Sequence, residues 1–104
     1  MDLKEKLVLI TGSSIGIGAA IAKEFAKHGS SVVITYNSNK AEAQKVKAEC
    51  TRLGAAKTAI VHLDVTDDSS IKETVKKVVE DFGQIDILVN NAGVFAEGTV
   101  EKTT

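Results

Sequence analysis

Four consecutive apolar residues, Leu7 to Ile10, run directly into Thr11-Gly12-Ser13-Ser14-Ile15-Gly16-Ile17-Gly18, after which apolar residues recur at helical spacing. So short a continuous apolar run suits a strand buried on both faces of a parallel sheet. A plain chain reversal needs one glycine, and three within seven residues point to a turn whose backbone must bend sharply and approach something closely. A strand, a glycine-rich turn and a helix start in that order gather backbone N–H groups where a phosphate or pyrophosphate can be held. Gly12 suits the sharp turn, Gly16 a backbone that approaches the phosphates with no Cβ in the way, and Gly18 a helix packed close to the sheet. Ser13 and Ser14 offer hydroxyls to a phosphate or cap the helix. A dinucleotide is the expected ligand.

The rest of the chain alternates strand-like and helix-like periods. A helix is expected over 16–28, with Ile17, Ile21 and Phe25 four apart, Ala20, Ala22 and Ala26 beside them, and Gly29 as its left-handed cap. Val32, Val33 and Ile34 form a second strand, followed by the polar loop Asn37-Ser38-Asn39. A helix over about 41–53, with Val46, Cys50 and Leu53 on one face, ends at Gly54. A third strand runs near 57–63. Asp67 or Asp68 then caps a helix with Ile71, Val75, Val78, Val79 and Phe82 on its apolar face, and Gly83 stops it. Ile85 to Val89 is the fourth strand, followed by Asn90-Asn91-Ala92-Gly93, and Thr99 has the character of a further N-cap. This order implies an α/β fold: a partial doubly wound parallel sheet, strand order 3-2-1-4, with helices on both faces and ligands at the carboxyl ends of strands one and four. Both glycine-bearing motifs sit at those ends.

Composition narrows the function classes. With 104 residues, 43% of them apolar, the chain supports one domain spanning 1–104. A net charge of −1, with the signs mixed along the chain, provides no basic face for a nucleic-acid backbone. The start, Met1-Asp2-Leu3-Lys4-Glu5-Lys6, is charged where a signal peptide would be apolar, and no run is long enough to cross a bilayer, so no membrane partner is expected. A single cysteine fits a reducing, cytoplasmic compartment, and on the face shared with Val46 and Leu53 it reads as a buried, inert thiol. His28 and His62 have no companions at metal-ligand spacing.

The spacing of Gly12, Gly16 and Gly18 is G-x-x-x-G-x-G, not the commoner G-x-G-x-x-G. With Asn90-Asn91-Ala92-Gly93 after the fourth strand and Asp64 in Leu63-Asp64-Val65-Thr66, the chain resembles the N-terminal, cofactor-binding half of standard-length short-chain dehydrogenases/reductases. The resemblance implies that residues 12–18 hold the pyrophosphate and that Asp64 and the Val65 backbone meet the adenine. It further implies that Asn90 contacts the adenine-side ribose, that Ala92 and Gly93 leave room near the nicotinamide, and that Thr11 ties the turn to the backbone of the Asn90–Gly93 segment. Taken alone, Asn90-Asn91 is equally a polar strand end and Asp64 equally a turn-forming residue. At the end of the second strand an acid would favour NAD, and Tyr36 stands there instead. Asn37, Ser38 and Lys40 then suit a ribose 2′-phosphate, which favours NADP over NAD. Ile15 departs from the arginine that NADP-preferring relatives often carry.

The family moves hydride between NAD(P)H and a carbonyl or alcohol, as 3-oxoacyl reductases and glucose 1-dehydrogenases do, with a serine and a Tyr-x-x-x-Lys pair. Tyr36 and Lys40 reproduce that spacing but follow the second strand, on the adenosine side, so no catalytic residue is expected among residues 1–104 and the chain reads as truncated at its C-terminal side. The alternative is a non-catalytic dinucleotide-binding module or a subunit of a split protein. Because only one helix would cover the sheet's second face, self-association or a complementing chain is expected, and a stable monomer would favour the module reading.

Overall fold

A computed structural model describes residues 2–12, 16–64 and 66–90. The elements are β1 (Leu7–Thr11), α1 (Gly16–Lys27), β2 (Ser31–Tyr36), α2 (Lys40–Leu53), β3 (Thr58–His62), α3 (Asp68–Phe82) and β4 (Ile87–Asn90). All pairs are parallel and the strand order is β3-β2-β1-β4, as the alternation of periods implied. Among these residues no helix is long and apolar enough to cross a membrane.

Alternate residues of each strand face opposite layers. Val8, Ile10, Val32, Ile34, Ile87 and Val89 pack with Ala19, Ala22 and Ala26 of α1 and Ala43, Val46 and Cys50 of α2. Leu7, Leu9 and Val33 face Val78 of α3, with Val75, Phe82 and Leu88 partly buried around them. The expected split of two helices on one face and one on the other is present.

The buried stripe of α1 differs from the expected one. Ile17 is 73% exposed, Ala20 is exposed and Ile21 and Phe25 are half-buried, while Gly18, Ala19, Ala22 and Ala26 are buried. Small side chains let the helix axis approach the strands closely, and this close approach outweighs the larger apolar area the isoleucines could have buried. The fourth strand also shifts, from the expected 85–89 to Ile87–Asn90. Asp86 precedes it as an anchor: its carboxylate accepts the Leu7 N–H at 2.8 Å, and its own N–H donates to the Leu7 carbonyl at 2.9 Å. The second strand is longer than the apolar run, because Thr35 and Tyr36 find register partners in Val61 and His62. Asp67 caps α3 by accepting the Ser69 N–H at 2.9 Å. Gly29 and Gly54 follow α1 and α2 at φ +80° and +117°, the left-handed region expected of Gly29 and adopted by Gly54 as well. Cys50 is buried, and burial pushes its thiol up to about 11.

Thr35 carries a hydroxyl into this core. It is 1% exposed, donates to the Ile10 carbonyl at 2.9 Å and accepts the Gly12 N–H at 3.0 Å. Thr35→Val keeps the shape but withdraws this partner from both backbone groups, so it should lower unfolding free energy by about 1–3 kcal/mol, whereas Thr35→Ser should stay within about 1 kcal/mol. Denaturant unfolding of the three chains measures the difference.

Candidate functional site

The carboxyl edge of the sheet collects the ends of all four strands, with Thr11 beside Asn90 and Tyr36 beside His62 in register. From Thr11 the chain turns at Gly12, whose φ of +63° lies in the left-handed region that glycine enters without strain. The Gly12 N–H is turned inward to Thr35, so that amide locks the turn. Gly16 opens α1 at φ +59°, and a Cβ built on it would meet nothing within 4 Å. The start of this 12-residue helix therefore has room on the side where a Gly16 Cβ would stand, and no acidic side chain occupies its first turn. Its first N–H groups lack intrahelical partners and carry the positive end of the helix dipole, so an anionic phosphate fits there on both counts.

Thr11 behaves nearly as expected. Its hydroxyl lies 3.2 Å from Asn90 Oδ1 and 3.4 Å from the Val89 carbonyl. Among the described residues it thus meets the Val89 backbone and the Asn90 side chain, while residues 91–93 of the expected segment lie outside the described residues. The register accounts for this: Thr11 pairs with Asn90, which brings the end of β4 to the hydroxyl. Asn90 itself is exposed at the strand end.

Asp64 forms the turn that was one of its two readings. Its Oδ1 accepts the Thr66 hydroxyl at 2.7 Å and the Thr66 N–H at 2.9 Å, and its own N–H donates to Ser70 Oγ at 3.2 Å, tying the loop to α3. The two bonds from Thr66 hold its carboxyl below the usual carboxylate range, and the charge of His62 contributes less. Asn37, Ser38 and Lys40 are exposed between β2 and the first turn of α2. Tyr36 and Lys40 therefore stand on a strand end and a helix start, not together on one helix. Among the expected site residues, Ser13, Ser14, Ile15, Val65, Ala92 and Gly93 lie outside the described residues, as does Thr99.

Two contributors escaped the sequence reading. Thr35 locks the glycine turn, and its only signal is a hydroxyl within an otherwise apolar strand. His62 meets the Tyr36 ring, a contact that depends on the pairing register of β2 and β3. No group of three or more histidine, cysteine or acidic side chains among the described residues could hold a metal ion.

The profile of the short chain dehydrogenase family matches residues 6–104. A trans-4-hydroxycyclohexanecarboxylate dehydrogenase from Sinomonas cyclohexanicum is 46% identical over 101 residues, covering 93% of this chain and 39% of that protein. A short chain dehydrogenase from Burkholderia cenocepacia J2315, solved in complex with NADP, superposes with a TM-score of 0.83 at 42% identity, covering all of this chain and 42% of that one. An NADH-dependent reductase solved with NAD gives a TM-score of 0.83 at 37% identity, covering 91% and 39%. The chain spans about two fifths of the length of these relatives.

The Asp64 turn has a pH signature. Since its folded pKa is depressed, the stabilisation it lends is present above the ordinary carboxylate pKa and is lost as pH falls through the lower folded value. The Thr66 amide resonance should titrate at a lower pH than the amide beside an ordinary aspartate, and an Asp64→Asn chain should show no such titration.

Proposed function

The chain belongs to the short chain dehydrogenase family, and from that premise we propose that it forms the dinucleotide-binding part of an oxidoreductase working between NADP(H) and a carbonyl or alcohol substrate. One observation carries this reading above the others: Gly16 begins α1 with open space where its Cβ would be, at the carboxyl edge of a β3-β2-β1-β4 sheet. Relatives of the same fold solved with NADP and with NAD support it. The bound nicotinamide would supply the hydride, and this chain's residues bind and orient the molecule.

In this reading the pyrophosphate lies on the backbone from Gly12 to Gly18, with Ser13, Ser14, Ile15 and Ile17 lining the approach. Asp64 and Val65 meet the adenine and Asn90 the adjoining ribose, while Ala92 and Gly93 leave space on the nicotinamide side. Tyr36, Asn37, Ser38 and Lys40 surround the 2′ position, where no acid repels a phosphate, so NADP is preferred over NAD. A 3-oxoacyl or related carbonyl compound is the substrate class we favour, and a reducing, cytoplasmic setting suits the lone buried thiol.

A non-catalytic nucleotide-binding subunit is the second reading. It is favoured by the position of Tyr36 on β2 and Lys40 on α2, on the adenosine side of the sheet. Under either reading we propose a protein neighbour, a second copy or a complementing chain, against the α3 side. Among the described residues that side is covered by α3 alone, with Leu88 of β4 only half-buried.

Gly16→Val introduces a β-branched side chain at positive φ and fills the approach to the helix start, so calorimetry should find dinucleotide binding abolished. Unchanged affinity would show that the phosphates bind elsewhere. The wild-type chain should bind NADP more tightly than NAD, and Tyr36→Asp should reverse that order by setting a carboxylate against the 2′-phosphate. Equal affinities before and after the substitution would discard the preference.

A further inference from the structure

One member of a ring pair at the carboxyl edge, His62, has no part in the reading above. Tyr36 and His62 are register partners at the ends of adjacent parallel strands, and their ring centroids lie 5.5 Å apart with the planes at 76°, an edge-to-face contact. Tyr36 is partly buried against the cluster that α1 and α2 share, so one ring of the pair is braced by the core. His62 is exposed. Its backbone is tied from the other layer, where Thr74 Oγ1 donates to its carbonyl at 3.4 Å.

The end of β2 is where doubly wound sheets meet the adenosine ribose, with an acid for free hydroxyls or a basic side chain for a 2′-phosphate. Here that position holds a neutral phenol. The one arginine of the chain, Arg52, lies in the last turn of α2, at the opposite end of that helix from the loop that follows Tyr36. Lys40 stands at the start of α2, on a long and exposed side chain. The imidazole that touches Tyr36 is a short side chain on a strand, with ring N–H groups able to donate to a phosphate oxygen. Asp64, the acidic residue nearest in sequence, has Oδ1 committed to the Thr66 hydroxyl and amide.

We infer that His62, held edge-to-face against Tyr36, donates a hydrogen bond to the 2′-phosphate of a bound dinucleotide and so helps to set the preference for the phosphorylated cofactor. The inference rests on the dinucleotide reading proposed above. It makes His62 a specificity residue on the strand next to the one where such a residue is ordinarily sought. Tyr36 then contributes the wall that orients it.

The test compares NAD and NADP binding, by calorimetry, to the wild-type chain and to His62→Phe and His62→Gln. Phenylalanine keeps a ring against Tyr36 and removes the N–H, while glutamine keeps a donor without the ring. With a charge-assisted bond at stake, His62→Phe should weaken NADP binding roughly 10-fold and leave NAD within about 2-fold of wild type. His62→Gln should retain most of the NADP preference. An unchanged NADP to NAD ratio in His62→Phe would overturn the inference, and so would equal weakening of both cofactors, which marks the ring as a structural wall only. Wild-type binding of both cofactors with no His62 effect overturns this inference and leaves the dinucleotide reading standing. Failure of the wild-type chain to bind either one overturns both.

Discussion

The central strand β1 is buried on both faces and paired on both edges, so every polar group on it needs a partner inside the protein. The partners at its two ends are side chains from distant parts of the sequence. At the amino end the Asp86 carboxylate takes the Leu7 N–H; at the carboxyl end the Thr35 hydroxyl bridges the Ile10 carbonyl and the Gly12 amide, and Thr11 reaches Val89 and Asn90. A strand pinned in this way delivers the chain to the glycine turn from a fixed direction. The position of Gly16 and the start of α1 therefore depends on contacts that join residues 23 to 79 apart in sequence.

That dependence explains what could be read in advance. Element order and sheet order follow from local patterns, since parallel strands with short apolar runs and amphipathic helices admit few arrangements. In α1, periodicity marks Ile17, Ile21 and Phe25 as clearly as it marks Ala19, Ala22 and Ala26, and only the closeness of helix to sheet decides between them. Thr35 and His62 were invisible for a different reason. Their contacts exist only once β2 is in register with its neighbours, and one sequence read along its length contains no register. Asp64 shows the intermediate case: Asp-x-Thr suggests a turn locally, and the turn is there, but its local bonds do not speak for or against a role toward adenine.

The site is polar in an economical way. Among the described residues of the glycine turn, the Gly12 amide faces inward, and the space beside Gly16 at the helix start is open. The two uses do not compete, because a protein hydroxyl has already satisfied the first group and the dipole end of α1 points at the second. Family membership fits this division, and so do the relatives' complexes with NADP and NAD.

Helix α1 meets its sheet through Gly18, Ala19, Ala22 and Ala26, so the gap between the two layers is measured in methyl groups. A larger side chain would have rotamers to choose from and could yield when pushed; alanine has none. Any added volume along this stripe must be taken up by moving the helix bodily, and its first turn is the part that would face a phosphate. The small-residue stripe thus acts as a spacer of fixed length. Mutations deep in the hydrophobic layer, far from any ligand, would be felt at the mouth of the site as a change in where the backbone amides stand.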